Sequence, residues 1–228
     1  MILYVSFSHI NYEWNWGVLW DYREKLAKGW LMTLQISIVS LLLSLGLGWI
    51  FMIGQRRGDF LKTFFKLWID LIRGTPLLVQ ILLFFYVIAN AVGLENRFWL
   101  SVLILSNFSA AYISEILRAA LDGIPQSQWD AAKAIGLSRW QSYVDVIAPQ
   151  LFKAALPPLG GQFASIVKDS SLLSIIAVSE FTLNAQEVNS MTYSTLEVYI
   201  PLALGYLLIT APITWMTHKL EKKLHYEA

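Results

Sequence analysis

Residues 125–149 read PQSQWDAAKAIGLSRWQSYVDVIAP, a polar stretch between two apolar ones. Charged side chains recur along it, so it is not expected to lie in the hydrocarbon of a membrane. The run 130–135 has helical character, and Gly136 is a residue type that commonly follows a helix end. A serine can cap a second helix over 138–146, before Pro149. The stretch is therefore expected to form two short helices joined at Gly136.

Apolar runs flank this stretch and indicate a membrane protein. The chain has 228 residues, of which 56% are hydrophobic and 14% charged, whereas a soluble domain has about 25% charged residues. We predict an all-α integral membrane fold with five transmembrane helices, because each apolar run suits a hydrocarbon core of about 30 Å. The predicted spans are 29–54, 76–94, 98–120, 151–176 and 198–217. Close helix contact is expected from the small residues Ser37, Ser40, Ser44, Gly46 and Gly48 of the first span.

Lysine and arginine residues predict the orientation of the spans. They are frequent in 55–75 and in the tail 219–228, present in 121–150, and absent from 177–199. The N-terminus is therefore expected outside and the C-terminus in the cytoplasm. The basic residues Arg23, Lys25 and Lys28 conflict with this orientation. We interpret 22–30 as an interfacial helix at the end of an outer segment, 1–28, with anchors at Trp14, Trp16 and Trp20.

The segment 55–73 alternates charged and aromatic side chains at helical spacing. It is interpreted as an amphipathic helix at the cytoplasmic interface that runs into the second span. Lys62, Lys66 and Arg73 are expected to reach lipid headgroups. A gating role for these residues is the alternative.

The 125–149 stretch resembles the Glu-Ala-Ala loop of binding-protein-dependent ABC permeases. The pattern of that loop is Glu-Ala-Ala, three residues, Gly, nine residues, Ile, any residue, Leu-Pro. The matching positions here are Asp130, Ala131, Ala132, Gly136 and Pro149. Three positions depart mildly from the pattern: Asp130 replaces Glu, Val146 replaces Ile and Ala148 replaces Leu. The resemblance implies that the loop couples this chain to a separate ATPase subunit.

Three further segments resemble permeases for polar amino acids of the histidine, glutamine, glutamate and arginine type. They are RGTPLLVQ at 73–80, AYISEILR at 111–118 and KDSSL at 168–172. With the loop, the resemblance covers about residues 29–218, which form the predicted permease domain of the type I (MetI-like) fold.

The resemblance also implies a set of partners and a location. The chain is expected in the bacterial inner membrane, paired with itself or with a sister permease. Two copies of an ABC ATPase would carry ATP and Mg²⁺, and this chain would carry no cofactor. A solute-binding protein would deliver an amino acid from outside. The formal net charge of +1 separately predicts no nucleic-acid partner. Methionine or an opine is the alternative substrate class.

Polar residues in the fourth predicted span are candidates for the substrate path. Ionisable groups at membrane depth normally face a cavity or a partner. The candidates are Gln162, Ser165, Asp169 and Ser170, after a run of Pro157, Pro158, Gly160 and Gly161 that is expected to loosen the helix. Asp169 would meet a substrate ammonium. The alternative is structural: Lys168 and Asp169 pair with Glu115 or Arg118, as gate or bundle contacts.

Several function classes lack their usual residue patterns. The sequence has no Gly-x4-Gly-Lys-Ser/Thr phosphate loop, no cysteine and no metal-ligand spacing, so no enzymatic activity is expected of this chain. A secondary transporter driven by an ion gradient would favour inverted repeats and a longer chain. A membrane enzyme or scaffold remains the other alternative. The acidic residues Glu180, Glu187 and Glu197 are interpreted as a solvated outer loop or as contacts for the binding protein.

Overall fold

The computed structural model describes residues 12–226, and every regular element in that range is helical. The all-α prediction is therefore confirmed. The helices are α1 Gly17–Asp21, α2 Arg23–Gly54, α3 Asp59–Gly74, α4 Leu77–Leu83, α5 Arg97–Asp122, α6 Gln126–Ala134, α7 Ala148–Asp169, α8 Phe181–Thr192 and α9 Thr195–Tyr226.

Two of these helices, α4 and α7, have irregular continuations. A π-helical segment, Phe84–Ala89, and a short α-helical one, Asn90–Val92, extend α4. Arg139–Gln141 and a π-helical segment, Ser142–Ile147, lead directly into α7. A 3-10 helix, Ser170–Ile176, follows α7.

The length and composition of the described helices support a multi-span protein. Three helices are long and apolar enough to cross a membrane: α2, α5 and α9 over Thr195–Lys223. The pair Asp59–Gly74 and Leu77–Val92 forms a fourth candidate, bent by 110°. The remaining predicted span, 151–176, which is the fourth along the chain, is not among them. It stays a prediction, supported by the packing of α7 against both α5 and α9.

Small residues bring α2 and α5 close together, as predicted, but Gly46 is not among them. Ser37, Ser40, Ser44 and Gly48 are buried. A Cβ atom on Gly48 would meet the side chain of Ile113 on α5, so the contact requires a glycine there. Gly46 has open space around it, because it lies on the other face of α2.

The expectation that the 55–73 helix runs into the second span is wrong, because a sharp corner separates α3 from α4. Pro76 lacks the N–H group that the Ile72 carbonyl would normally accept four residues later. Gln80 supplies the missing donor: its Nε2 lies 2.7 Å from the Ile72 oxygen and 2.9 Å from Thr75 Oγ1. Thr75 Oγ1 in turn donates to the Leu71 carbonyl at 2.8 Å. The backbone carbonyls at the corner therefore have hydrogen-bond donors within the chain, and the buried Gln80 side chain has acceptors.

Proline residues do not end or loosen the helix where we predicted. The helical run from Arg139 continues past Pro149, because a π-helical segment, Ser142–Ile147, leads directly into α7, which begins at Ala148. Pro157 and Pro158 lie inside α7, which stays helical. Neighbouring elements support it, since Leu159 and Gly160 are buried. After these prolines the α-helix continues to Asp169, and a 3-10 helix begins at Ser170.

The interfacial helix predicted at 22–30 is not a separate element. Residues from Arg23 onward form the first turns of α2, which runs unbroken to Gly54. Only the five-residue α1 precedes it, and Trp20 on α1 is exposed. The predicted outer segment 1–28 is described from residue 12.

Candidate functional site

The turn at Gly136 ends α6 in a fixed geometry. The Leu137 N–H donates to the Ala132 carbonyl at 3.1 Å, and the Gly136 N–H donates to the Lys133 carbonyl at 3.0 Å. This pair of bonds is the Schellman ending of a helix, in which the residue after the helix adopts positive φ. Gly136 has φ +83°, which only glycine adopts without strain. The predicted break at Gly136 is confirmed.

The second helix of the loop begins at a capping box. The Gln141 N–H donates to Ser138 Oγ at 3.2 Å, and the Ser138 N–H donates to Gln141 Oε1 at 2.9 Å. Two backbone donors at the helix start are therefore satisfied. The predicted cap at Ser138 is confirmed.

The two helices expose an apolar surface, which we call the loop face: Asp130, Ala131, Ile135, Gly136 and Trp140. Ile135 and Trp140 are each 75% exposed, although both are large and apolar. Pro149 is also exposed. Ala132 differs from its neighbours because it is 2% exposed and faces the bundle. A contact surface on this loop therefore excludes Ala132.

The inner side of the loop is joined to the helices of the bundle. Trp129 and Tyr143 pack with ring centroids 6.3 Å apart. Both rings contact an apolar cluster from α2, α5, α7 and the segments beside them, which includes Met52, Ile113, Leu117, Leu121, Ile147 and Leu151. Gln150 Nε2 also donates to Gln128 Oε1 at 3.3 Å. The inner side of the loop is therefore packed against α2, α5 and α7.

An ionic cluster centred on Glu115 lies beside the loop. The Glu115 carboxylate accepts from Arg118 Nε at 3.0 Å and Nη2 at 2.8 Å, and it pairs with Arg73 at 3.3 Å. Gln55 Nε2 is 3.3 Å from the same carboxylate. The Arg73 guanidinium also lies over the Tyr112 ring, 5.4 Å from its centroid. Side chains from α3, from α5 and from Gln55 at the end of α2 thus meet at one carboxylate.

The ionic cluster extends to the ends of α2 and α5. Arg118 Nη1 donates to Asp122 at 3.0 Å, and Arg56 pairs with the other oxygen of Asp122. The arginine and aspartate side chains are 39–49% exposed, and the Glu115 side chain is 20% exposed. Three members of the cluster, Arg73, Glu115 and Arg118, line a cleft of about 720 Å³ that reaches Pro125 and Gln150 of the loop.

Lys168 and Asp169 do not join this cluster, so the predicted pairing with Glu115 or Arg118 is wrong. Pro158 of α7 lines the same cleft as Glu115. Asp169 lies eleven residues farther along that helix, which is about 16 Å at 1.5 Å per residue. The helix therefore holds Asp169 far from the cluster.

The four predicted substrate-path residues differ in what they contact. Gln162 Nε2 donates to Ser109 Oγ of α5 at 3.3 Å. Gln162, Ser165 and Asp169 are all partly exposed on one face of α7. Ser170 is buried, and its hydroxyl donates to the Val167 carbonyl at 2.8 Å. The path role stays a prediction for all four, and this protomer exposes only the first three.

A buried carboxylate organises the opposite end of the bundle. Glu180 is fully buried and accepts from the N–H groups of Thr182 at 2.8 Å and Leu183 at 2.7 Å, which caps α8. The Tyr206 hydroxyl of α9 donates to it at 2.9 Å, and Thr33 of α2 is 3.4 Å away. Burial raises the pKa of the Glu180 carboxyl, because the charged form loses water. Glu180 therefore joins three helices.

The interpretation of the outer glutamates as a solvated loop is wrong for two of the three. Glu197 is buried like Glu180: it accepts from the Asn15 N–H at 2.6 Å and from the Tyr12 hydroxyl. Both carboxylates accept hydrogen bonds from other parts of the chain, and these replace the hydrogen bonds that water would donate. Glu187 is partly exposed and pairs with Lys25 at 2.6 Å. Contact with a binding protein stays a prediction for Glu187.

Comparison with known proteins decides the family. Residues 44–226 match the family described as the inner membrane component of binding-protein-dependent transport systems. The chain belongs to this family. It is therefore an inner membrane component of a transport system, as the 125–149 stretch indicated.

Relatives of this inner membrane component align with it over most of their length. The glutamine transport system permease protein GlnP of Escherichia coli is 32% identical over 93% of this chain and 98% of its own length. The L-cystine transport system permease protein TcyB of Bacillus subtilis is 36% identical over 72% of this chain and 70% of its own length.

Solved structures share the fold of this inner membrane component. An amino acid ABC transporter crystallised with histidines has a chain that is 28% identical and superposes with a TM-score of 0.84, over 93% of this chain and all of that one. The MetNI methionine ABC transporter, inward facing, has a chain that is 15% identical with a TM-score of 0.75, over 90% and 98% of the two chains. The latter shows the fold alone, and it agrees with the predicted MetI-like class.

Sequence reasoning missed several residues of this inner membrane component. Gln80 could have been found, because Pro76 leaves the Ile72 carbonyl without a donor. Arg56 and Asp122 stand at the ends of two apolar runs, and opposite charges at such ends favour pairing. Nothing local in the sequence marks Glu180 as buried, since its partners lie as many as 147 residues away.

Proposed function

We propose that this chain is the permease subunit of an ABC importer for a polar amino acid. The observation that carries the proposal is the loop face. It places two exposed apolar side chains, Ile135 and Trp140, on a polar segment that the sequence puts in the cytoplasm. Exposed apolar surface rimmed by polar residues is typical of a protein contact site. The relatives named for glutamine and cystine transport support the substrate class.

The partner at the loop face would be a separate ATPase subunit. Two copies would serve a pair of permease subunits, identical or related, and each would carry its own ATP and Mg²⁺. Asp130, Ala131 and Gly136 would lie in the contact, and Ala132 would support it from the inner side. Movement of the ATPase pair would pass through Trp129 and Tyr143 into α2, α5 and α7.

The ionic cluster would rearrange during transport. Its ion pairs are partly exposed, so each contributes little stability and can be exchanged for water at small cost. Arg73, Glu115 and Arg118 would therefore act as a cytoplasmic gate beside the cleft. A solute-binding protein would deliver the substrate at the opposite end of the bundle.

The substrate path would follow Gln162, Ser165 and Asp169 on α7. Asp169 would meet the ammonium group of the substrate, since a carboxylate at membrane depth needs a cation. Asp169→Asn is expected to lower the uptake affinity for the amino acid at least tenfold. Ser171→Ala, which removes an exposed hydroxyl bonded to its own helix, is the control and should leave the affinity unchanged. Equal affinities in both variants would reject the path role.

Uptake into proteoliposomes tests the proposed function. The chain is reconstituted with its ATPase and its binding protein, and ATP-driven uptake is measured beside co-purification of the ATPase. Ala131→Asp should remove most of both, because it places a new charge in the loop face. Gln186→Asp, at an exposed position of α8, should leave co-purification intact. Uptake driven by an ion gradient without ATP would reject the proposal in favour of a secondary transporter.

A further inference from the structure

Helix α3 has three faces of different character. One face packs on the bundle, with Ile69 and Ile72 buried and Trp68 Nε1 donating to Asn107 Oδ1 of α5 at 3.2 Å. A second face carries an exposed apolar row. Its members are Phe60, Phe64, Leu67 and Leu71, exposed by 53–82%. The third face carries a charged row: Asp59, Lys62, Lys66, Asp70 and Arg73.

The direction of α3 suggests what covers its exposed apolar row. The helix meets α4 at a bend of 110°, so it lies across the direction of the span that follows it. With Leu77–Val92 crossing the membrane, α3 would lie close to the plane of the membrane surface, where amphipathic helices bind. The exposed apolar row and the charged row are roughly 130° apart around the helix at 3.6 residues per turn. One row can therefore face acyl chains while the other faces headgroups.

The basic groups of the charged row differ in whether they form ion pairs within the described residues. Arg73 pairs with Glu115, and in the turn before α3 Arg56 pairs with Asp122. Lys62 and Lys66 have no ion pair among the residues that the structure describes, 12–226. They follow each other at i, i+4 and so project from the same side of the helix.

We propose that α3 is a binding site for anionic phospholipid headgroups. Lys62 and Lys66 hold the headgroup phosphates as point charges, and the exposed apolar row sits among the acyl chains below them. A protein partner would have to cover two surfaces of opposite character that face different ways. A lipid monolayer offers acyl chains to the exposed apolar row and phosphate headgroups to the charged row. The site does not depend on the proposed transport function.

Lipid selectivity of the purified full-length chain tests the charge part of the proposal. The chain is placed in phosphatidylcholine bilayers, and the association of spin-labelled phosphatidylglycerol is compared with that of spin-labelled phosphatidylcholine. We expect a preference for phosphatidylglycerol that falls about fivefold for each lysine replaced in Lys62→Gln and Lys66→Gln. The matched variant on the same row, Asp70→Asn, should strengthen the preference. An unchanged preference in the double lysine variant would overturn the proposal.

Probe accessibility tests the position of α3. The chain contains no cysteine, so Leu67→Cys and Lys66→Cys each give one site for a nitroxide label. We expect the label at 67 to be accessible to oxygen dissolved in the bilayer and the label at 66 to an aqueous nickel chelate. A label at 67 that meets the aqueous chelate would overturn the proposal. So would one shielded from both reagents, since a protein would then cover the row.

Discussion

The two ends of the bundle differ in how their carboxylates are stabilised. At the loop end, Glu115 and its arginine partners form ion pairs that stay partly exposed. At the other end, Glu180 is completely buried and is held by backbone N–H groups and a tyrosine hydroxyl. Exposed ion pairs contribute about 0–1 kcal/mol each, whereas a buried acceptor is costly to disturb. The loop end can therefore exchange contacts, and the Glu180 end holds three helices in place.

Removal of the buried carboxylate is expected to have the largest effect on stability. Glu180→Ala takes away the cap of α8 and the acceptor that the Tyr206 and Thr33 hydroxyls share. The free energy of unfolding should fall by about 3 kcal/mol, the sum of a lost helix cap and the lost buried hydrogen bonds. Denaturant titration of the chain in detergent micelles measures it. A loss smaller than that of Tyr206→Phe would contradict the role of Glu180 as the centre of this end.

The turn of the loop is expected to show an intermediate effect. Gly136→Ala forces an alanine to φ +83° and should cost about 1–2 kcal/mol. Gly46→Ala is the matched control, because that glycine is helical and has open space around it. The control should be neutral or stabilising by up to about 1 kcal/mol. The same denaturant titration compares the two, and equal costs would show that the turn geometry is not required.

The pH dependence of stability separates the two ends further. Burial raises the pKa of Glu180 above its ordinary value of 4.5, so the folded protein favours the protonated form. This contribution to stability is fully present below pH 4.5 and is lost as the pH rises through the raised pKa. The free energy of unfolding of the wild type should therefore fall over that window relative to Glu180→Gln. Parallel pH profiles of the two proteins would contradict the account.

The smallest effect on stability is expected at the exposed ion pairs. Glu115→Gln keeps the shape of the side chain and should change the free energy of unfolding by less than about 1 kcal/mol. Its uptake rate, in contrast, should change several-fold, since two arginines in the cleft lose their shared partner. Proteoliposome uptake beside denaturant titration tests both parts. A stability loss as large as that of Glu180→Ala would remove the distinction between the two ends.

Local rules predicted the parts of the molecule that depend on neighbouring residues. Gly136 and Ser138 were readable from the sequence, because a helix ending and a capping box each use groups within five residues. The proline predictions failed because they, too, considered only neighbouring residues. Pro149, Pro157 and Pro158 disturb an isolated helix, but packing against α5 and α9 decides the outcome here. The roles of Gln162 and Asp169 as a substrate path remain predictions.

Long-range contacts account for what the sequence did not reveal. The burial of Glu180 depends on donors from Thr33 and Tyr206, which no spacing rule connects. The exposed apolar surface at Ile135 and Trp140 also required the structure. From the sequence, either side chain could have packed inward as Ala132 does.

Site-specific cross-linking tests the coupling role of the loop face most directly. Because the chain has no cysteine, Ala131→Cys can carry a single photoactivated cross-linker in the assembled transporter. Trp20→Cys, which is exposed at the other end of the bundle, is the matched control. The account predicts an adduct with the ATPase subunit from position 131, with a yield that changes on ATP binding, and none from position 20. Absence of an ATPase adduct from position 131, or equal adducts from both positions, would contradict it.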